Sequence, residues 1–372
     1  MLKILTYNEI DKRQWQALVE QSATATWFQT PEAYEFYKSV PEEMIPFVVG
    51  VAASPKSSPE VKDLQLVGVV VGYITQTPNP IKQFFTRRAI IIGGPLLAED
   101  ISDEALAALL KAVKEYKVES VKCKGTENGN ADALSSRLIA LSPHRLTPIY
   151  IETRNLHDYS RWKSVFEANG FAYQPHLNIQ VTCNAMHSMS EQRVRQVRKA
   201  LKNGVEICQA QSEQEIRDWY QILKQLYRKK VRTPLWSEEF FLQFYRNGVG
   251  KYLLVKHEDK VIGGMMCPIL AGRTIYEWYV CGLDESFREY YPSIVATYAA
   301  IEYAKEHGWP LFDFMGAGKP NVPYGVRDFK MEFGGKLVEY GRYSCVNKPL
   351  LYRIGKWGVK LQKKALLILC LI

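Results

Sequence analysis

The sequence predicts an α+β protein built from two domains of like topology, on three observations. A hairpin, strand, helix, strand order occurs twice along the chain. The 372 residues are more than a single core usually organises. Hydrophobic residues make up 47% of them and charged residues 23%, the balance of an ordinary folded chain.

In the first half, "LQLVGVVVGYI" (64–74) and "RRAIIIGGPLL" (87–97) are apolar, β-branched runs that read as strands. The loop before them, "ASPKSSPEVKD" (53–63), reads as a solvated hairpin connection. Then "SDEALAALLKAVKEY" places Leu106, Leu109, Leu110 and Val113 at i, i+3, i+4 and i+7, one face of a helix, and "VESVKCKG" follows as a strand. The second half repeats the order. "KYLLVKHEDKVIGGMMCPIL" reads as a hairpin turning at Glu258 and Asp259, and "RTIYEWYVCGL" as the next strand. "PSIVATYAAIEYAKEHGW" is a helix with Pro292 in its first turn, and "LFDFMGAG" a buried strand.

Between the two units, "SMSEQRVRQVRKALKNGVEI" (188–207) has capping-box spacing at Ser188 and Glu191. Val194, Val197 and Leu201 share a face and Gly204 closes the helix, so the domain boundary is expected near residue 184. Near the end, "YGVRDFKMEFGG" (324–335) places Val326, Phe329 and Phe333 at helical spacing, with Arg327 and Lys330 projecting elsewhere and Gly334 and Gly335 ending the helix.

Lys and Arg total 48 against 39 Asp and Glu, a formal net charge of +9, which favours polyanions: nucleic acid, phosphorylated small molecules or an anionic membrane face. The seven cysteines are scattered and never spaced as CxxC, so no disulfide framework or zinc site is expected and a reducing cytoplasm fits. The six histidines are dispersed without an HExxH pair, so no catalytic metal is expected. The start, "MLKILTYNEIDKRQWQ", does not read as a signal peptide, and no span reaches the roughly 20 apolar residues of a transmembrane helix.

The motifs "RVRQVRKALKNGVEI" and "FDFMGAGKPNVPYGVRDFKMEFGG", in the patterns RxxRKAxKxGV and FKxxFGG, resemble the Fem family of peptidoglycan-bridge peptidyltransferases. "FQTPEAYEFYKSV" (28–40) resembles that family's N-terminal element. The resemblance implies two tandem acetyltransferase-like (GNAT) domains, here taken as 1–183 and 184–346, followed by a tail, 347–372. Residues 205–250 are too few, and lack the heptads, for the long coiled-coil arm some members carry. The implied activity moves an amino acid from aminoacyl-tRNA, the co-substrate, to the peptide of a nucleotide- or lipid-linked peptidoglycan precursor, with no resident cofactor or metal. Acyl transfer to an envelope or exopolysaccharide precursor, and non-catalytic binding of tRNA or a glycolipid, are the competing readings.

An ordinary acetyltransferase of this fold holds the coenzyme A pyrophosphate on a glycine-rich turn entering the helix after its fourth strand. The corresponding stretch here, "GLDESFREYYPSIVA", has Glu289, Tyr290 and Tyr291 in place of glycines, and Pro292 removes an N–H donor. In the first domain "GGPLLAEDISDEA" runs its glycines into acidic residues, a poor cradle for pyrophosphate. No Ser-His-Asp or Cys-His constellation points to a covalent intermediate. Positioning and stabilisation of the developing oxyanion are then the chemistry required.

The resemblance places Lys330 at the donor site as a fixed cation, with removal expected to leave the fold intact, against the alternative of a solvent-facing helical lysine; Phe329 is read as packing in the core or stacking on the terminal adenine of tRNA. It also matches Lys38 and Arg232 to residues that bind acceptor phosphate, with Lys229 and Lys230 as competitors of Arg232. Asp313, Asp328 and Glu332 are the carboxylates available as a base, and a buried Asp313 would have a raised pKa or a structural hydrogen-bonding role. Arg193, Arg195, Arg198, Lys199 and Lys202 form a helix surface able to follow tRNA phosphates. In the tail, Leu350, Ile354, Trp357 and Leu361 share one side of a helix while Arg353, Lys356, Lys360 and Lys363 gather on another. That pattern suits either docking on the first domain or peripheral contact of a cytoplasmic protein with the inner membrane face.

Overall fold

The computed structural model describes residues 1–54, 64–77, 80–119, 145–183 and 189–358. They divide into two compact units, Met1–Gln174 with Arg342–Ile372, and Pro175–Gly341. Much of the loop at 53–63, the strand expected from 120 onward, Ser188 and the tail beyond 358 lie outside the described residues.

In the first unit the chain runs β1 (Leu2–Thr6), α1 (Lys12–Gln21), α2 (Pro31–Lys38), β2 (Met44–Ala53), β3 (Gln65–Thr75), α3 (Pro80–Thr86), β4 (Arg88–Gly93) and β5 (Leu96–Leu97). It continues through α4 (Asp103–Glu115), β6 (Val118–Glu119), β7 (Arg145–Leu146), β8 (Tyr150–Asn155), α5 (Lys163–Ala168) and β9 (Ala172–Gln174). The sheet order is β1-β2-β3-β4-β8, then the late strand Arg342–Val346, then β9, with β5 on β3. The central pair β4 and β8 is parallel, as a crossover through a helix requires. Leu106, Leu109, Leu110 and Val113 of α4 are all buried in the core, as their spacing predicts.

The second unit contains β10 (Leu177–Thr182), α6 (Glu191–Lys202), β11 (Val205–Gln209), α7 (Glu213–Leu226), α8 (Glu238–Arg246), β12 (Gly250–His257), β13 (Lys260–Leu270), β14 (Thr274–Tyr276) and β15 (Tyr279–Gly282). After these come α9 (Pro292–Glu306), β16 (Leu311–Gly316), α10 (Gly325–Met331) and β17 (Lys336–Glu339). Its sheet order, β11-β12-β13-β14-β16-β10-β17 with β15 on β13, parallels that of the first unit. Glu258 and Asp259 both have positive φ, 48° and 61°, the backbone of a tight hairpin turn. Residues 205–250 form β11 and two ordinary helices, without a long arm.

The units differ from the expected boundaries in one instructive way. The chain passes into the second sheet already at β10, which pairs with β16 and β17. The last strand, β18 (Arg342–Val346), returns to the first sheet between β8 and β9. The division therefore falls after Gln174 instead of near 184, and 342–346 belong to the first unit. Hydrophobic burial enforces the return: Tyr343 is 1% exposed and stacks on Phe166 at 4.1 Å between ring centroids. Replacing Tyr343 by Ala should cost about 3–5 kcal/mol in denaturant unfolding; a loss below about 1 kcal/mol would mean that β18 contributes little to the first core.

Candidate functional site

The run expected as a single strand at 273–283 is two strands. β14 pairs in parallel with β16, while β15 pairs antiparallel with an earlier stretch of β13, so the backbone breaks at Glu277 and Trp278. Tyr276 lies opposite Asp313 in the register, and the Glu277 N–H donates to the Asp313 carbonyl at 2.9 Å. The break puts the Glu277 side chain in the interior.

Opposite it, β16 ends in an unusual backbone. Met315 has φ 57°, a left-handed conformation costing about 1 kcal/mol or more for a side-chain-bearing residue. Two groups hold it. The Asp313 carboxylate accepts the Met315 N–H at 2.5 Å, and the Lys330 ammonium donates to the carbonyls of Phe314 and Gly316, at 2.7 and 3.2 Å. The third Lys330 N–H meets Glu277 Oε1 at 2.9 Å. All three donors of the ammonium are thereby engaged. Lys330 is buried, so it is neither a solvent-facing helical lysine nor a cation with a spare donor. Its removal would leave a carboxyl without its cation, which bears on the expectation that the fold stays intact.

Both carboxyls near this ammonium hold their protons more tightly than usual. Burial pushes Glu277 up, partly offset by Lys330, and its Oε2 has no hydrogen-bond partner. Burial also raises Asp313 from 3.8 to about 6, against the stabilising hydrogen bonds from Gln180 and the Met315 N–H. Gln180 on β10 donates to Asp313 Oδ2 at 2.9 Å and accepts from the Tyr340 hydroxyl at 3.1 Å. Asp313 is thus both buried with a raised pKa and structurally hydrogen-bonded. Glu277 is not among the carboxylates singled out from the sequence, although an acid inside the apolar run "IYEWYV" is a signal that points to it; Gln180 carries no such signal.

The two C-terminal-half motifs meet here. Ser190 caps α6 by accepting from the Arg193 N–H. Its own N–H donates to the Glu332 carbonyl at 2.9 Å. Arg193 pairs with Glu332 at 3.0 Å and lies over the rings of Phe329 and Phe333, at 4.9 and 5.9 Å. Phe329 therefore packs against the core with Arg193 over its ring. Val326 and Leu201, expected on apolar faces, are exposed, whereas Phe333, Val197 and Ala200 are buried. Gly334 takes φ 84° to end the turn, and Gly335 is needed because a Cβ there would strike Ile179.

Lys38 lies in the first unit at the end of α2, its side chain 61% exposed and 3.7 Å from Glu35. Arg232 is exposed, in the left-handed region at φ 55°, its N–H closing a π-helical turn onto Tyr227 at 2.7 Å. Of its competitors, Lys230 pairs with Glu285 at 3.0 Å. Lys229 lines a pocket of about 630 Å³ with Lys224 and Arg228. On α6, Arg195, Arg198, Lys199 and Lys202 are exposed. Asp328 is exposed as well.

The starts of the two helices read above as poor cradles for pyrophosphate carry polar groups of the chain itself. At α9, Tyr291 has φ 47° and Pro292 is the first helical residue. The Asp284 carboxylate accepts from the Ser293 N–H at 3.0 Å and from its hydroxyl at 2.6 Å. At α4, Ser102 caps the first turn, which carries Asp103 and Glu104. Gly94 makes room for the Tyr159 ring, whose hydroxyl donates to the Pro95 carbonyl at 2.6 Å. Among the described residues no three His, Cys, Asp or Glu side chains are grouped to hold a metal ion, and no helix is long and apolar enough to cross a membrane.

Residues 189–331 match the family model of the GNAT acetyltransferase domain. No curated protein matches the chain by sequence. Among solved structures, FemX is similar over 95% of this chain and 99% of its own, with TM-score 0.64 and 15% identity. A tandem GNAT protein from the clavulanic acid biosynthesis pathway is similar over 93% of this chain and 99% of its own, with TM-score 0.50 and 9% identity. The chain has a Fem-like tandem GNAT fold, an acyltransferase scaffold.

Two outcomes follow from the buried cluster. Asp313 has its pKa raised on folding, so its stabilising contribution is complete below about pH 4 and is lost as the pH rises through about 6, an effect of up to about 3 kcal/mol. Asp313→Asn should flatten that part of the stability profile in denaturant titrations; an unchanged slope would show that Asp313 does not titrate there. Lys330→Met should destabilise by about 3–5 kcal/mol at neutral pH, with the deficit shrinking on acidification as Glu277 takes a proton. A pH-independent deficit would rule out Glu277 as the group left unpaired.

Proposed function

We propose that this protein is an aminoacyltransferase that moves an amino acid from aminoacyl-tRNA to an amine in the peptide of a peptidoglycan precursor. The observation that carries the reading is the closed start of α9. On this scaffold an acyl-CoA pyrophosphate needs free N–H groups at that helix start, where the dipole favours an anion. Here Asp284 already supplies the negative charge and Pro292 supplies no donor. A pyrophosphate would displace a carboxylate that is covalently part of the chain, and would meet its repulsion. The donor is therefore an acyl group activated in another way, and the aminoacyl ester of tRNA is the one that the Fem resemblance implies.

The reaction balances without a covalent enzyme intermediate or a metal. The neutral acceptor nitrogen bonds to the ester carbonyl carbon, the carbon–oxygen bond to the terminal ribose breaks, and the proton lost by nitrogen ends on the departing ribose oxygen. Lys330 acts as a positioning residue, fixing the end of β16, while Phe329 beside it and Arg193 lock α10 to α6. The exposed cations of α6 would follow tRNA phosphates, and Lys38 and Arg232 are the proposed acceptor-phosphate contacts.

Incubation with a pool of charged tRNAs and nucleotide- or lipid-linked precursors should give a product heavier by one amino acid, followed by mass spectrometry. Acetyl-CoA should neither acylate the precursor nor compete; either effect would overturn the reading. Replacing Arg198 and Lys202 by Gln should reduce the slope of log affinity against log salt for tRNA by about 1.4 to 1.8, and an unchanged slope would remove α6 from the tRNA path.

A further inference from the structure

The helical residues 349–358 have no part in the chemistry proposed above, and their placement separates the two uses open to an amphipathic tail. Their root is fixed to the first unit. The Asn347 N–H donates to the Ile149 carbonyl at 2.9 Å, and its side-chain amide donates to the Lys114 carbonyl at 2.9 Å. Tyr352 stacks on Tyr150, with ring centroids 5.4 Å apart and planes 14° from parallel. Gly355 sits so close to Phe85 that a Cβ would strike its carbonyl oxygen. Docking thus uses the side of the helix that carries Tyr352 and Gly355.

Leu350, Ile354 and Trp357 fall on the roughly opposite side, where they are 71%, 46% and 74% exposed. Arg353 beside them is exposed, and so is Lys356, whose ammonium lies 5.5 Å over the Tyr352 ring at the edge of the docked side. From Asn347 onward the sequence carries six Lys and Arg and no Asp or Glu. A pinned helix with Trp, Leu and Ile outward, in a stretch of sequence whose charged residues are all cations, matches the composition of an interfacial helix on anionic lipid. A second copy of the same strip would bring like charges face to face, and a nucleic acid would leave the aliphatic side chains without an apolar partner.

We propose that the first unit docks on an anionic phospholipid surface through this helix, with Leu350, Ile354 and Trp357 entering the interface and the surrounding cations meeting lipid phosphates. The proposal does not depend on the reaction, because the surface recognised is the bilayer itself.

Co-sedimentation of the full chain with vesicles of phosphatidylglycerol and phosphatidylcholine, against vesicles of phosphatidylcholine alone, tests it. Binding should be strong only to the anionic vesicles and should fall with added salt, each engaged cation contributing about fivefold. The double variant Leu350→Ser, Trp357→Ser should bind at least tenfold more weakly with an unchanged thermal midpoint, since both side chains are exposed in the fold. Equal binding by variant and wild type, or equal binding to both vesicle types, would overturn the proposal. So would a wild-type dimer in light scattering that the double variant abolishes while vesicle binding is absent, because the face would then belong to a second copy. The vesicles contain neither tRNA nor acceptor, so failure here leaves the aminoacyl-transfer reading untouched.

Discussion

The contact on which the second unit's centre depends is the ammonium of Lys330 inside the protein. One side chain from α10 reaches across to Glu277 at the strand break and to two carbonyls at the twisted end of β16. A buried cation of this kind is tolerable only because each N–H has a partner and a carboxyl faces it. The left-handed Met315 backbone, the break between β14 and β15 and the short helix α10 are therefore mutually dependent. Of the three, only α10 is announced by local sequence; the left-handed backbone and the strand break are not. Arg193 and Glu332 extend the same logic outward, tying α6 to α10 through a charge pair laid over two phenyl rings.

The two units share a way of closing the start of the helix that follows their central strands. In one a serine cap and acidic first-turn residues occupy it, and in the other an aspartate reaches back to the backbone. Both solutions satisfy orphan helix N–H groups from within the chain. They keep the layered scaffold while meeting those groups with polar side chains of the chain itself. Specificity in a scaffold of this kind resides in a few residues at element ends, and the sheet order itself says little about the ligand.

Much of the architecture was legible in the sequence because burial and periodicity coincide there. The α4 leucines, the Glu258–Asp259 turn and the proline-led start of α9 each follow from local chemistry and appear in the structure as read. What could not be read depends on partners distant in sequence. Lys330 looks like a surface lysine until Glu277, 53 positions earlier, is brought beside it. The strand at 273–283 looks continuous because nothing local announces that its two halves pair with different neighbours. Val326 fits the helical spacing but is exposed, since α10 is too short for periodicity to fix which side faces the core.

The return of β18 has a consequence for how the protein is made. As the chain leaves the ribosome, the first sheet has a gap between β8 and β9 that only residues near 342–346 can fill. Phe166 and Thr153 wait for Tyr343 while the whole second unit is synthesised, a delay of roughly ten seconds or more at ordinary translation speeds. During that interval two strand edges of the early domain stay open to wrong pairing. Nascent-chain chaperones should therefore matter more to this protein than its ordinary composition implies.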